Sequence, residues 1–473
     1  MRKLSPGLRR ELQKCCEHKN PDFAKKKAMG FSTWNTPPKI KTWKVEGKFL
    51  TLPRGAMPRV RATFKHSGIR FKVKDRRIEG SPVAFPLVYK GFPLRPYQVG
   101  GSKAALKYEQ GIVRAATGSG KTITALQLAT RFGLNTLVIV PNVKLMRQWN
   151  NRAIRDLGLA KENLGVIRGK VKKLFPLTVV NQQSLFKKID DDIKEFFGAV
   201  IMDEAHHAAA KTHNEVIDQF PSRYRIAFSA DETRSDKKEF LTYDAFGEVV
   251  HETDRATCEK YKAIVDVEIR IVITEFEASW YRWSEDPQKF QLLLDEMVPD
   301  KKRNRLITRI AANHIRAGDQ VIALTHRREH ARNLDRILVA KGFRSGCMLG
   351  GKDAGDFKEF DKTSDGILSG EVRAGIGTYE AIGEGIDLPE VAIGIATTPI
   401  ASNKQRFNQV RGRLCRPAQG KDKGILYTIH DPLVFSRKKN QSIIQNIIKW
   451  NRTVKIQLDG EWVDARKHRH VIM

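Results

Sequence analysis

From about residue 88 onward, short apolar runs alternate with longer stretches in which apolar side chains recur every three or four positions. The runs at 136–140, 177–180, 199–202 and 224–228 predict buried strands, and the stretches between them predict helices. Strands and helices taken in turn give a parallel sheet wrapped by helices. A second series predicts strands at 320–325, 374–378, 391–396 and 424–429. The expected fold class is therefore α/β, with two tandem lobes over 86–265 and 306–435. Residues 276–304, polar and aromatic with Trp280 and Trp283, break the alternation, and a helical connector is expected over 266–305. The apolar positions at 443–448 predict a helix in a C-terminal tail, 436–473, packed on the second lobe. A chain of 473 residues exceeds what one core supports, and residues 1–85 are left as a small module of their own.

Residues 115–122 read Ala-Ala-Thr-Gly-Ser-Gly-Lys-Thr, after the apolar Gly111-Ile112-Val113 and before a helix-like stretch from Ile123. A strand, a glycine-bearing loop and a helix start make a phosphate cradle. The backbone of Thr117, Gly118, Ser119 and Gly120 faces an anion, Lys121 neutralises it, and Thr122 supplies an oxygen to magnesium. ATP with Mg2+ is the expected ligand. Ala115 departs from the pattern, which wants glycine there. At 199–206 a second apolar strand ends in Asp203-Glu204. That placement suits Asp203 to hold the metal and Glu204 to polarise the attacking water. Near the C-terminus, Arg413 and Arg416 stand three apart, share a face if they lie on one helix, and can donate in planar forks to phosphate oxygens. The plain alternatives are a solvated strand end for Asp203-Glu204 and a surface helix for the arginines. The coincidence of all three motifs outweighs them.

With 85 Lys plus Arg against 53 Asp plus Glu the formal charge is +32, a field that draws polyanions. Residues 1–80 alone hold 22 Lys or Arg and 6 Asp or Glu, a net charge of +16, interleaved with Phe31, Trp34, Trp43, Phe49, Phe64 and Phe71. Such rings can stack bases while the cations track phosphates, although burial in a core is the plainer expectation for most of them. Cys15, Cys16, Cys258, Cys347 and Cys415 show neither zinc nor disulfide spacing, and no apolar stretch is long enough to span a membrane. The basic N-terminus lacks the apolar region of a signal peptide. A reduced, cytoplasmic setting is expected, with no membrane partner.

The ordered motifs over about 90–430 resemble those of superfamily 2 helicases with a DEAH-type box. Leu94-Arg95-Pro96-Tyr97-Gln98 looks like the adenine-reading segment, which implies nucleotide contacts for Arg95, Tyr97 and Gln98. Val140-Pro141-Asn142-Val143-Lys144 through Gln148-Trp149 looks like the first strand-gripping motif, and Asn181-Gln182-Gln183-Ser184 occupies the place of a second. Thr325-His326-Arg327, Gly377-Thr378 and Gly385-Ile386-Asp387-Leu388-Pro389 match second-lobe motifs, and Gln409 to Arg416 closes the set. The resemblance implies two RecA-like lobes that close over ATP and Mg2+. Lys121, Asp203, Glu204, His206, Gln409, Arg413 and Arg416 would be catalytic, with Gly385 and Asp387 at the nucleotide. Pro141, Asn142, Lys144, Gln183, Arg327 and Thr378 would lie along nucleic acid. The likeness is strongest to the XPB group of DNA helicases and its bacterial and phage relatives, including UvsW-type branch-migrating enzymes. It implies 3′ to 5′ movement on single-stranded, forked or branched DNA. An RNA helicase is not excluded, a double-strand translocase of a restriction or defence system is the reading of a different class, and a binding protein without turnover is a third. Ser229-Ala230-Asp231 departs from the family's Ser-Ala-Thr, which bears on coupling rather than on hydrolysis. The connector could also be a wedge or a DNA-touching element. The reading allows a monomer and names no protein partner.

Overall fold

The computed structural model describes residues 4–169, 171–185, 189–205, 216–230, 237–278, 280–281, 287–350, 354–383, 388–400, 404–434, 437–458 and 460–468. Within these, the chain divides into two units, Met1–Thr257 and Cys258–Met473. The first is built on β1 (Gln110–Ala115), β2 (Thr136–Val140), β3 (Leu177–Asn181), β4 (Ala199–Met202), β5 (Tyr224–Ser229) and β6 (Val249–Thr253). They form one sheet in the order β6-β1-β5-β4-β2-β3, with every pairing parallel. The apolar runs are unbroken because both faces are covered, and successive side chains enter opposite cores. On β2, Val138 and Val140 join the core that includes Leu126 and Trp149, whereas Leu137 and Ile139 join the core that includes Phe197 and Phe246.

The second unit repeats the plan with β7 (Asp266–Ile273), β8 (Val321–Thr325), β9 (Ser345–Met348), β10 (Ala374–Thr378), β11 (Ile393–Ala396), β12 (Lys423–His430), β13 (Val454–Leu458) and β14 (Glu461–Asp464). Their order is β9-β10-β8-β11-β12-β7-β13-β14, parallel except for the last pair. The tandem α/β expectation holds, with two corrections. Residues 266–273, assigned to the connector, are a strand inside this sheet. Their charges are accommodated by pairing: buried Glu268 meets Arg270 at 2.7 Å and Lys423 at 3.2 Å. The tail is not only helical, since the helix Arg437–Trp450 is followed by β13 and β14, which extend the sheet. The rest of the connector does contain helices, Pro287–Met297 and Lys301–Arg316.

Residues 4–80 carry the helices Pro6–Lys14, Pro21–Ala28 and Met57–His66 and two short antiparallel strand pairs, and they pack on the first sheet's unit. The fully buried carboxylate of Asp244 collects His18 Nε2 at 2.8 Å, the Thr42 hydroxyl at 2.5 Å and Arg59 Nη2 at 2.5 Å. Arg54 donates to the carbonyls of Ser222 and Arg223 at 2.6 and 2.7 Å. A Cβ on Gly55 would lie 2.2 Å from the Tyr243 carbonyl, so only glycine permits this approach. Burial is not the fate of most of the aromatic rings: Trp34 is 92% exposed, Phe31 64% and Phe49 58%, and Phe71 is also exposed. The rings stay outside, while Arg54, Arg59 and His18 reach the first sheet's unit, His18 also stacking on Phe240 at 4.2 Å between ring centroids.

Candidate nucleotide site

The phosphate cradle forms between β1 and the helix Lys121–Phe132, whose N-cap is Gly120. Gly118 and Gly120 adopt φ of +88° and +86°, backbone that side chains rarely tolerate. A Cβ on Gly120 would also lie 2.5 Å from Gln98 Nε2. Ala115, by contrast, closes β1 opposite Thr253, in extended backbone with room for its methyl group. The Ser119 hydroxyl is buried with no partner among the described residues, and the first turn of the helix offers N–H groups that have no carbonyl to bond. A buried orphan hydroxyl, two left-handed glycines and a lysine at the helix start fit the phosphates of a nucleotide.

Asp203 and Glu204 follow β4, the strand neighbouring β5 and β2. Lys121 Nζ lies 3.6 Å from Glu204 Oε1, which brings the cradle and the carboxylates together. Asp203 is buried, and both of its oxygens accept hydrogen bonds: Oδ1 from the Glu204 N–H at 2.9 Å, Oδ2 from Trp149 Nε1 at 2.8 Å. Glu204 itself sits at φ +48°, a left-handed conformation that turns the chain sharply after the strand. Burial, and next the negative charge of Glu204, push the Asp203 carboxyl up to about 6; Lys121 and the indole donor act in the opposite direction. A divalent cation would offset both effects, and Thr122 and Asp203 are the candidate residues to hold it.

Tyr97 and Gln98 are buried on the helix Pro96–Tyr108. Both donate to one oxygen, the Ser119 carbonyl, at 2.7 and 2.9 Å, and Gln98 Oε1 accepts the Arg95 N–H at 2.8 Å. In this state they brace the loop. The residues expected to grip a strand start helices and loops: Asn142, after Pro141 and before Lys144, caps the helix Val143–Leu157 by accepting the Leu145 N–H at 2.9 Å. Gln183 is exposed beyond β3.

In the second unit, Thr378 ends β10 and is buried, its hydroxyl accepting the Ala381 N–H at 3.2 Å. Arg327 pairs with Asp295 at 2.7 Å and donates to the Gln291 carbonyl. The shared helical face expected for Arg413 and Arg416 does not form. The helix Lys404–Leu414 carries Gln409 and Arg413 and ends before Arg416, because Pro417 disfavours helical backbone at the residue preceding it. His206, Asp231, Gly385 and Asp387 lie outside the described residues. Trp149, which grips Asp203, was read only as part of a strand-gripping motif.

A family model described as type III restriction enzyme, res subunit, matches residues 91–233. Over 362 residues the chain is 24% identical to the DNA 3′-5′ helicase XPB of Kineococcus radiotolerans, covering 74% of this chain and 62% of that protein. It is 31% identical over 193 residues to the DNA 3′-5′ translocase XPB2 of Sulfurisphaera tokodaii, covering 40% of this chain and 43% of that one. The chain spans less than two thirds of the length of these relatives. Among solved structures, S. cerevisiae Dbp5 bound to RNA and ADP BeF3 aligns with 80% of this chain and 97% of its own, at 14% identity and a TM-score of 0.52, a likeness of fold. With the ordered motifs and two tandem α/β lobes, the chain is similar to superfamily 2 helicases of the XPB-like group.

Proposed function

We propose that this chain is an ATP-dependent DNA helicase or translocase that moves 3′ to 5′ and acts on forked or branched DNA in replication, recombination or repair. The observation that carries the ATPase half is the meeting of Lys121 with Glu204 beside the doubly bonded Asp203. Lys121 neutralises the phosphate charge, and the cradle N–H groups fix its position. Glu204 accepts the proton side of the attacking water and aligns it. Magnesium, when held through Thr122 and Asp203, supplies further charge neutralisation. Arg413 and Arg416 are the proposed arginines for the developing negative charge, and little covalent chemistry is asked of the protein.

DNA as the track is supported by the relatives, named as DNA 3′-5′ helicase and translocase. The preference for branches is supported by the basic N-terminal segment, whose exposed rings stand among lysines: Lys48 lies 5.7 Å from the Phe49 ring centroid. A duplex translocase is the second reading, favoured by the matching restriction-enzyme family model. ATPase rates measured in turn with single-stranded DNA, blunt duplex, forks, four-way junctions and RNA test the proposal. Forks and junctions should stimulate most. Equal stimulation by blunt duplex supports the second reading, and no stimulation by any nucleic acid overturns the motor.

A further inference from the structure

Trp149 is nearly fully buried in the core that also holds Leu126, Val140, Leu145 and Ala153, and a purely apolar ring would fill that space. Tryptophan brings one polar atom, which must find an acceptor when buried. Its acceptor here is Asp203 Oδ2, at 2.8 Å, across 54 residues of sequence. The other oxygen of the same carboxylate is held by the Glu204 N–H. Two donors therefore fix the plane of the carboxylate, and each oxygen keeps a lone pair for a cation. Groups that orient metal ligands in this way commonly change metal affinity about 10- to 100-fold when removed.

We propose that Trp149 is a positioning residue for the magnesium site, setting the orientation of Asp203 through its indole N–H. The proposal rests on the reading of Asp203 as the magnesium carboxylate, and the test separates the two. Mn2+ is titrated into protein with ADP and its binding followed by electron paramagnetic resonance. Trp149→Phe should weaken Mn2+ about 10- to 100-fold. Leu145→Ala, which opens a cavity in the same core without touching Asp203, should change it by less than about threefold, outside the range for lost orienting groups. Asp203→Asn should also weaken Mn2+, and adding Trp149→Phe to it should cost nothing more. Equal effects of Trp149→Phe and Leu145→Ala would overturn the positioning role and leave Trp149 as core. Normal Mn2+ binding by Asp203→Asn would instead overturn the magnesium assignment. On the unaltered chain, one indole 1H–15N signal should shift with Mg2+ and ADP but not with ADP alone, and the same signal should move in Asp203→Asn. If no indole signal responds to the metal, the proposal fails without any variant at position 149.

Discussion

In the proposed mechanism Lys121 and Glu204 divide the work of hydrolysis, and their substitutions should differ in kind. Glu204→Gln keeps the shape and the cradle, so nucleotide binding should persist while turnover falls by at least about a hundredfold, the scale of a lost positioned base. Lys121→Ala removes the cation that faces the phosphates and should lose binding and turnover together. Fluorescent-nucleotide titration beside an ATPase assay distinguishes them, and parental turnover by Glu204→Gln would remove it from the site. These two residues were legible in the sequence because a glycine loop and a carboxylate pair each declare themselves within eight positions. The partnership of Trp149 with Asp203 was not, since it joins residues 54 apart that no local spacing relates. Ala115 shows the reverse case, a departure from pattern that falls in the extended backbone of a strand end.

At the scale of elements, uninterrupted apolar runs marked nine strands to within two residues at each end, whereas runs carrying charge were passed over. β7 alternates Val267, Ile269 and Ile271 with Glu268 and Arg270, and its buried Glu268 is paired with Arg270 rather than solvated. The β13-β14 hairpin carried the signal Asp459-Gly460 between alternating runs, and Gly460 does turn at φ +87°. The same scale decides what the N-terminal segment can touch. Its exposed Phe31, Trp34 and Phe49 have no role in docking, so Trp34→Ala with Phe49→Ala should leave folding intact. Stacking contributes about 1–3 kcal/mol per base, so affinity for junctions should fall about tenfold or more if the rings meet bases. Gel-shift titrations at fixed salt on junction and duplex would show this, and unchanged affinity for both would confine the segment to electrostatics.

For the molecule as a whole, acid should act first on the second unit. Burial holds the His326 and His330 imidazoles down to about 3 and that of His430 to about 4, with Arg406 adding to the effect at His326 and Arg303 at His330. An unfolded histidine titrates near about 6.5. Above that pH both states are neutral and these groups give no pH dependence. Between about 6.5 and the depressed folded values the unfolded chain binds more protons, so stability falls as pH falls, by up to about 1.4 kcal/mol per pH unit for each histidine. Calorimetric scans at pH 7.5, 6.5 and 5.5 should show a falling melting temperature, and a flat profile would contradict the neutral assignment. No helix among the described residues is long and apolar enough to cross a membrane.

The grip of Asp244 on His18 spans 226 residues, which makes the order of synthesis matter. At about 5–20 residues per second, the first helices wait roughly 10–45 s for the element that receives them. Until then His18, Thr42 and Arg59 lack the Asp244 carboxylate that holds them in the finished protein. Ribosome-stalled chains ending before residue 240 should therefore be cut readily within residues 1–80 by a limiting protease. Chains stalled far enough past residue 247 for that segment to have left the ribosome should resist, since nascent chains fold as units. If protection appears at both lengths, the N-terminal segment folds without its receptor and the dock is formed by two finished parts.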